Sequence, residues 1–343
     1  MSSKIEVRDV VAEEPFVVGI STHALFDCEA EAPVLPPHGP ETCATLRRAN
    51  ESAPLRPGAG FPLIKRLLGL NSPDSARLVE VVLISRGTPD FAIRSYQSCA
   101  SHGLAIVAGS FTSGRPAAPY AAAWDVDLFL SSETEDVCAA SALGIAAATL
   151  GPRAALDAAR TNQVHFGLDG DGVMFGSDSD AVFREHGLEA FERHEVRHAR
   201  NPMAPGPFGA RFLRKLGRLR DRCETMDGTS GVRISLITAR NAPTHERALR
   251  TLRRWDVRID EAHFVGHRRK SAFLALAAVD IFFDDNAGNI TDAARFVTSG
   301  LVPRPADRIS STPAAEATLG FPLLAEPNYD EPEHWLRPHR EPG

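Results

Sequence analysis

Residues 164–172 read VHFGLDGDG. Val164 to Leu168 form a short, nearly continuous apolar run that ends abruptly in Asp169-Gly170-Asp171-Gly172. Such a run is how a strand buried on both faces of a parallel sheet reads. A carboxylate at its end stands where an open α/β sheet holds its ligand. Two carboxylates two residues apart can divide the work, one attacking and the other moving protons.

Working outward, similar runs occur at 16–20 (FVVGI), 79–84 (VEVVLI), 126–130 (VDLFL), 232–237 (VRISLI) and 279–283 (VDIFF), each followed by polar residues. Helical stretches alternate with them. In 209–221, Phe212, Leu213, Leu216 and Leu219 make one face and Arg211, Arg214, Lys215 and Arg218 the other, a basic face that reads as solvated. The pattern predicts an α/β fold.

One order of segments occurs twice. VVGISTHALFD (17–27) matches HFGLDGDGVMF (165–175), placing Ser21 on Asp169, and NESAPLRPGAGF (50–61) matches HARNPMAPGPF (198–208), both 148 residues apart. VVLISRGTP (81–89) matches SLITARNAP (235–243), placing Ser85 on Thr238. VDLFLSSE (126–133) matches VDIFFDDN (279–286), placing Ser131 on Asp284, and these two pairs lie 153 apart. A P-x-x-P-G loop shared at the offset of the preceding strand argues for internal duplication. The expected organisation is a tail over 1–15, a degenerate unit over 16–150, a catalytic unit over 160–302 with an inserted cap segment at about 176–230, and a Pro-rich tail over 303–343. Residues 33–62 are also dense in Pro and Gly.

The acids lie in the second unit. After Asp169 and Asp171, the next strand ends in Thr238, Lys270 follows, and a third strand ends in Asp284-Asp285. Acids at two strand ends make an oxygen-rich site suited to Mg²⁺. A hydroxyl and a lysine supply donors for phosphate oxygens. Arg268 and Arg269 precede Lys270, which is the preferred cation of the three. Asp285 reads as a metal ligand or as a solvated strand-end residue.

This order resembles the haloacid dehalogenase-type phosphohydrolases and, more closely, the cytosolic 5′-nucleotidase I family. The carriers are LDGDGVMF, NPMAPGPF, SLITARNAP, LRTLRRWDVRIDEAHFVG and VDIFFDDN, with GISTHALFD and LVEVVLISRGTPD in the first half. The resemblance runs from about 16 to 300 and implies two tandem Rossmann-like units, each with an inserted cap segment. It implies that Asp169 attacks phosphorus to form an aspartyl-phosphate. Asp171 would protonate the leaving oxygen and then activate water. Thr238 and Lys270 would hold the phosphoryl oxygens. Asp284 and Asp285 would bind Mg²⁺ with Asp169 and the backbone carbonyl of Asp171. Arg240 matches the family's T-A-R and reads as structural or substrate-facing. Phe175 and Phe208 are candidates to stack on a base, against the alternative that they are core.

A competing motif is HEVRH, with His194, Glu195 and His198 in the zinc-protease HExxH spacing. Its extra charges, the helix-breaking Asn201-Pro202 just beyond and the lack of a third ligand favour a chance match in a polar helix. In the first half Ser21, His23 and Ser131-Ser132 replace Asp169, Asp171 and Asp284-Asp285, and Arg115 lies near the Lys270 position. Asp27 and Asp127 remain, but Asp127 matches Asp280 rather than a ligand position. No catalysis is expected there. Ser85 and Arg115 leave a regulatory anion site as a secondary reading.

Composition bounds these readings. The 343 residues suit about two domains at roughly 150 residues each. A net charge of −6 disfavours nucleic acid polymers and anionic membranes as partners. The first 15 residues lack an uncharged apolar stretch, and the apolar run at 271–283 is broken by Asp280, so neither a signal peptide nor a membrane span is expected. Five scattered cysteines (Cys28, Cys43, Cys99, Cys138 and Cys223) without a CxxC pair point to a reducing cytoplasm. The expected function is a Mg²⁺-dependent 5′-nucleotidase acting on nucleoside 5′-monophosphates. The alternatives are a phosphatase for sugar phosphates or other small phosphomonoesters, and a nucleotide-binding regulator with negligible turnover. Base preference and a homo-oligomer stay open.

Overall fold

The computed structural model describes residues 14–28, 53–72, 75–151, 163–225 and 230–304. The expected tails, apart from residues 14–15 and 303–304, and most of the Pro/Gly-dense stretch 33–62 lie outside them. Apolar runs build one ten-stranded sheet. Its strands are β1 (Phe16–Ile20), β4 (Val79–Ser85), β5 (Ala108–Phe111), β6 (Leu128–Ser131), β7 (Ala146–Leu150), β8 (Val164–Leu168), β9 (Val232–Thr238), β10 (Glu261–Phe264), β11 (Ile281–Asp284) and β12 (Thr298–Leu301). A two-stranded ribbon pairs β2 (Phe26–Asp27) with β3 (Arg56–Pro57).

The sheet order is β10-β9-β8-β11-β12-β7-β6-β1-β4-β5. The carboxyl-terminal five strands run β10-β9-β8-β11-β12, and the amino-terminal five run β5-β4-β1-β6-β7, the same order in each half. Every pairing within a half is parallel. The single junction, β12 against β7, is antiparallel. The strands of the two halves therefore point in opposite directions, and their carboxyl ends lie on opposite edges of the sheet. Ligands of such sheets sit at the carboxyl ends where strand order switches. In the second half that point lies between β8 and β11.

Side chains alternate across the strands, as period two requires. Phe16, Val18 and Ile20 of β1 and Ile281 and Phe283 of β11 face one continuous core. Helices Phe61–Leu68 and Ala210–Arg222 cover that face, burying Leu63, Ile64 and Leu67 from the first and Phe212, Leu213, Leu216 and Leu219 from the second. On the opposite face each half has its own cluster, around Val82, Ile84 and Phe129 in one and Ile237, Phe282 and Leu274 in the other.

The P-x-x-P-G loops play matching parts. The Gly58 amide donates to Leu25 O at 2.8 Å, and the Gly206 amide to Met174 O at 3.0 Å. A Cβ on either glycine would collide with the backbone it clasps, Phe26 in one case and Val173 and Phe175 in the other. Each loop thus clamps the segment that follows the first strand of its half. Of the segment 176–230, Ala210–Arg222 is the crossover helix between β8 and β9, lying on the sheet. Helix Asp178–Arg197 is broken at Gly187 (φ 78°) into two arms, and Phe183 meets Phe191 edge-on at 6.1 Å. Rings eight residues apart reach this distance only when the arms fold back as a hairpin.

Candidate active site

Asp169 closes β8 and is buried, its amide donating to Phe283 O of the neighbouring strand β11 at 2.9 Å. The glycines beside it let the loop pack tightly. A Cβ at Gly170 would stand 2.9 Å from Thr238 Oγ1, so the loop lies directly on that hydroxyl. Gly172 has φ +81°, the left-handed region, and a Cβ there would come within 2.5 Å of Asp285 Oδ2. The Gly-Asp-Gly spacing thus lets acids from two strands converge.

Lys270 starts helix Lys270–Leu276 and turns its ammonium inward. Its Nζ donates to Asp169 and Asp284, 2.7 Å from each. Asp284 also accepts from the Asn286 amide at 2.8 Å and from Asn289 Nδ2 at 3.0 Å. Asp285 accepts from Arg304 Nε at 3.1 Å. Burial raises the Asp169 carboxyl, Lys270 works against that rise, and Asp284 adds to it. Burial would lower Lys270, but Asp169 and Asp284 outweigh it and hold the ammonium above its ordinary value. Burial likewise raises Asp285, with Arg304 opposing.

Asp169, Asp284 and Asp285 each bring a carboxylate oxygen within 4.8 Å of the others. Among the described residues this is the one grouping of three or more His, Cys, Asp or Glu side chains close enough to share an ion. Three carboxylates outnumber the two cations that face them, Lys270 and Arg304, and the donors are all oxygen. That set fits a hard divalent cation such as Mg²⁺. Thr238 is buried beside it, its Oγ1 accepting from the Arg240 amide at 3.2 Å.

Asp171 lies beyond Gly170. Arg240 grips it by a two-point fork, Nε to Oδ2 and Nη2 to Oδ1, both at 2.7 Å. Arg240 Nη1 pairs with Glu195 on the hairpin, and the Phe191 ring lies 5.3 Å from the guanidinium carbon.

The structure therefore brings Asp169, Asp171, Thr238, Arg240, Lys270, Asp284 and Asp285 to one edge of the sheet. The base-stacking expectation for Phe175 and Phe208 is corrected. Both are fully buried, Phe175 against Trp255 (5.6 Å) and Phe208 against Phe283 (4.7 Å), so neither offers a face to a ligand. Their apolar surface gains more from the core than a site could return. In HEVRH, Glu195 points inward to Arg240 and Arg247, while His194 and His198 stack on each other at 4.3 Å. Sequence reasoning missed Glu195, Asn289 and Arg304 as partners of Arg240, Asp284 and Asp285. The alternation of polar residues in DDNAGN was the one available hint for Asn289.

In the first half two loop bonds persist, the second with a hydroxyl in place of an acid. Ser85 Oγ accepts from the Gly87 amide at 3.1 Å, as Thr238 does from Arg240. Ser131 Oγ accepts from the Glu133 amide at 3.0 Å, as Asp284 does from Asn286. Arg86 forks onto Asp136, a residue matched in the second half by Asn289, and Arg115 is exposed. These residues occupy the edge opposite Asp169 and add nothing to its site.

A family model described as 5′-nucleotidase matches residues 9–308. Human cytosolic 5′-nucleotidase 1B is 32% identical over 287 residues, covering 81% of this chain and 47% of that protein. The chain thus spans about half the length of that relative. No solved structure matches the chain significantly.

Proposed function

The chain belongs to the 5′-nucleotidase family, and from that premise we propose that it hydrolyses nucleoside 5′-monophosphates to nucleoside and phosphate through an aspartyl-phosphate on Asp169, with Mg²⁺ as cofactor. One observation carries the reading: Lys270 shared at 2.7 Å between Asp169 and Asp284, with Asp285 close enough to complete a carboxylate cluster. A buried carboxylate beside a buried ammonium is a nucleophile with a phosphate-binding charge already in place.

Asp169, Asp284 and Asp285, with the Asp171 backbone carbonyl, would hold the cation, which when bound offsets the repulsion between carboxylate and phosphate dianion and draws charge from the phosphoryl oxygens. Lys270 and the Thr238 hydroxyl bind those oxygens. The Asp169 carboxylate attacks phosphorus as the bond to the ribose oxygen breaks. Asp171 gives its proton to that oxygen, releasing the nucleoside. Asp171 then takes a proton from water as the water oxygen attacks phosphorus, freeing phosphate and restoring the Asp169 carboxylate. Phosphate-ester hydrolysis in water is among the slowest of biological reactions, so charge placement has most to contribute.

The matched strand order of the two halves and the closely similar sequence offsets, 148 and 153 residues, support internal duplication, the first copy having exchanged its acids for Ser21 and Ser131 and lost catalysis. The hairpin 178–197 acts as a cap over the surviving site. No helix among the described residues is long and apolar enough to cross a membrane. Scattered cysteines without a CxxC pair, and a relative named as cytosolic, support a cytoplasmic reaction. Phosphate release from a panel of nucleoside monophosphates and sugar phosphates, with and without Mg²⁺, tests the reading. Nucleoside monophosphates should be cleaved only with the metal; preference for sugar phosphates would redirect it.

A further inference from the structure

The HEVRH segment does not serve the proposed chemistry as a metal site, yet its glutamate is among the most firmly held side chains of the molecule. Glu195 is buried at 1% exposure. It accepts from Ser179 Oγ at 2.9 Å, from Arg247 Nη1 at 2.7 Å and from Arg240 Nη1, and lies 3.1 Å from His194 Nδ1. Ser179 is on the first arm of the hairpin and Glu195 on the second, while Arg247 belongs to helix His245–Arg254 on the sheet side. Glu195 is therefore the point where both arms of the hairpin meet the catalytic half.

What it holds there is Arg240, and what Arg240 holds is Asp171. The guanidinium uses one edge, Nε and Nη2, for both Asp171 oxygens and leaves Nη1 for Glu195 and, at 3.3 Å, Thr244 O. Phe191 covers it at 5.3 Å. A planar fork of this kind fixes the orientation of a carboxylate as well as its position. The negative charge of Glu195 also balances Arg240, so Asp171 is oriented by a donor whose charge is already met.

We propose that Glu195 is a positioning residue, which through Arg240 aims the Asp171 carboxyl at the leaving oxygen and so makes proton transfer depend on the seating of the hairpin. The inference rests on the reaction proposed above, in which Asp171 protonates the departing ribose oxygen. The hairpin thus reaches the chemistry through a three-residue line, Glu195 to Arg240 to Asp171. Gly187, at φ 78° between the arms, supplies the fold that lets Ser179 and Glu195 meet.

The test compares esters that differ in their need for a proton. A ribose oxygen leaves poorly unless protonated; 4-nitrophenolate leaves unaided. Because Asp171 also activates water on the aspartyl-phosphate common to both esters, the rate measured is release of the leaving group in the first turnover, before that hydrolysis, at saturating ester. With a nucleoside 5′-monophosphate, Glu195→Gln is expected to slow this release at least about tenfold, because positioned proton transfer acts in the transition state. With 4-nitrophenyl phosphate the same variant should keep it within about threefold of wild type. Arg240→Lys, which retains charge and loses the fork, should show the same split and serves if Glu195→Gln does not fold by circular dichroism. Equal slowing of first-turnover release from both esters, or wild-type release in both variants, overturns the proposal. Wild-type protein that cleaves neither ester removes the proposed reaction and this inference together. Wild-type protein that cleaves both, with Asp169→Asn silent on both and the variants slowed alike, overturns the positioning role only.

Discussion

Arg66 and Asp280 form an ion pair that joins the two halves of the sheet. Arg66 lies on the crossover helix of the amino-terminal half, and Asp280 precedes β11 in the other, where it also accepts the His165 amide at the start of β8 at 2.7 Å. The mirror contact is present. Lys215, on the crossover helix of the carboxyl-terminal half, pairs at 2.8 Å with Asp127, which accepts the Val17 amide at the start of β1, also at 2.8 Å. Each half thus lends a cation to the acid that ties down the other's first strand. Through this exchange the half without the acid cluster supports the half that carries it.

Asp280→Ala removes a charge partner and a strand-start acceptor at once, both largely buried. It is expected to destabilise the fold by about 1–3 kcal/mol, read as a lower urea midpoint. A midpoint unchanged from wild type would show that the cross-half pair contributes nothing.

Gly172→Ala places a Cβ against Asp285 Oδ2 in a left-handed backbone. The conformation alone costs about 1–2 kcal/mol, and relief of the clash must move Asp285. The variant should fold with reduced stability and bind Mg²⁺ more weakly by calorimetric titration. Unaltered Mg²⁺ affinity would separate Asp285 from the metal cluster.

Phe175→Ala and Phe208→Ala test the correction made to the base-stacking expectation. Each empties a fully buried site and should cost about 3–5 kcal/mol, with KM for nucleotide little changed in whatever fraction stays folded. A selective rise in KM at wild-type stability would restore the stacking role.

Glu195 carries a pH signature. Burial alone would raise its carboxyl from 4.5, but Arg240, Arg247 and Ser179 outweigh burial and hold it at about 2. Its folded value is depressed, so its stabilisation is complete above the ordinary value and is lost as pH falls from about 4.5 towards 2. The stability difference between wild type and Glu195→Gln, followed by urea unfolding, should therefore shrink over that interval. A difference that stays constant from pH 6 to pH 3 would contradict the assignment.

The long apolar strands were legible because burial on both faces leaves an unbroken signal. Thus β1, β4, β6, β8, β9 and β11 stand where the runs place them, give or take two residues. The others were not: β5 (AGSF), β7 (AAATL), β10 (EAHF) and β12 (TSGL) are short and made largely of small or polar residues. Their strand character comes from neighbours, not from their own periodicity. Asp169, Thr238 and Asp284 were visible because each ends such a run. Glu195 was misleading because HEVRH looks like a metal motif when its partners, Arg240 and Arg247, are 45 and 52 residues away. Phe175 and Phe208 were open to two readings because a place in the LDGDGVMF or NPMAPGPF segment says nothing of which way a ring points.

The proposed reaction turns on phosphorylation of Asp169. Wild-type protein turning over a phosphate-labelled nucleoside 5′-monophosphate with Mg²⁺, quenched in acid and digested, should carry the label on the peptide containing Asp169, removable by hydroxylamine. Asp169→Asn should carry none and release no phosphate. Label-free wild type during steady turnover, together with phosphate release by Asp169→Asn at a substantial fraction of the wild-type rate, would contradict it.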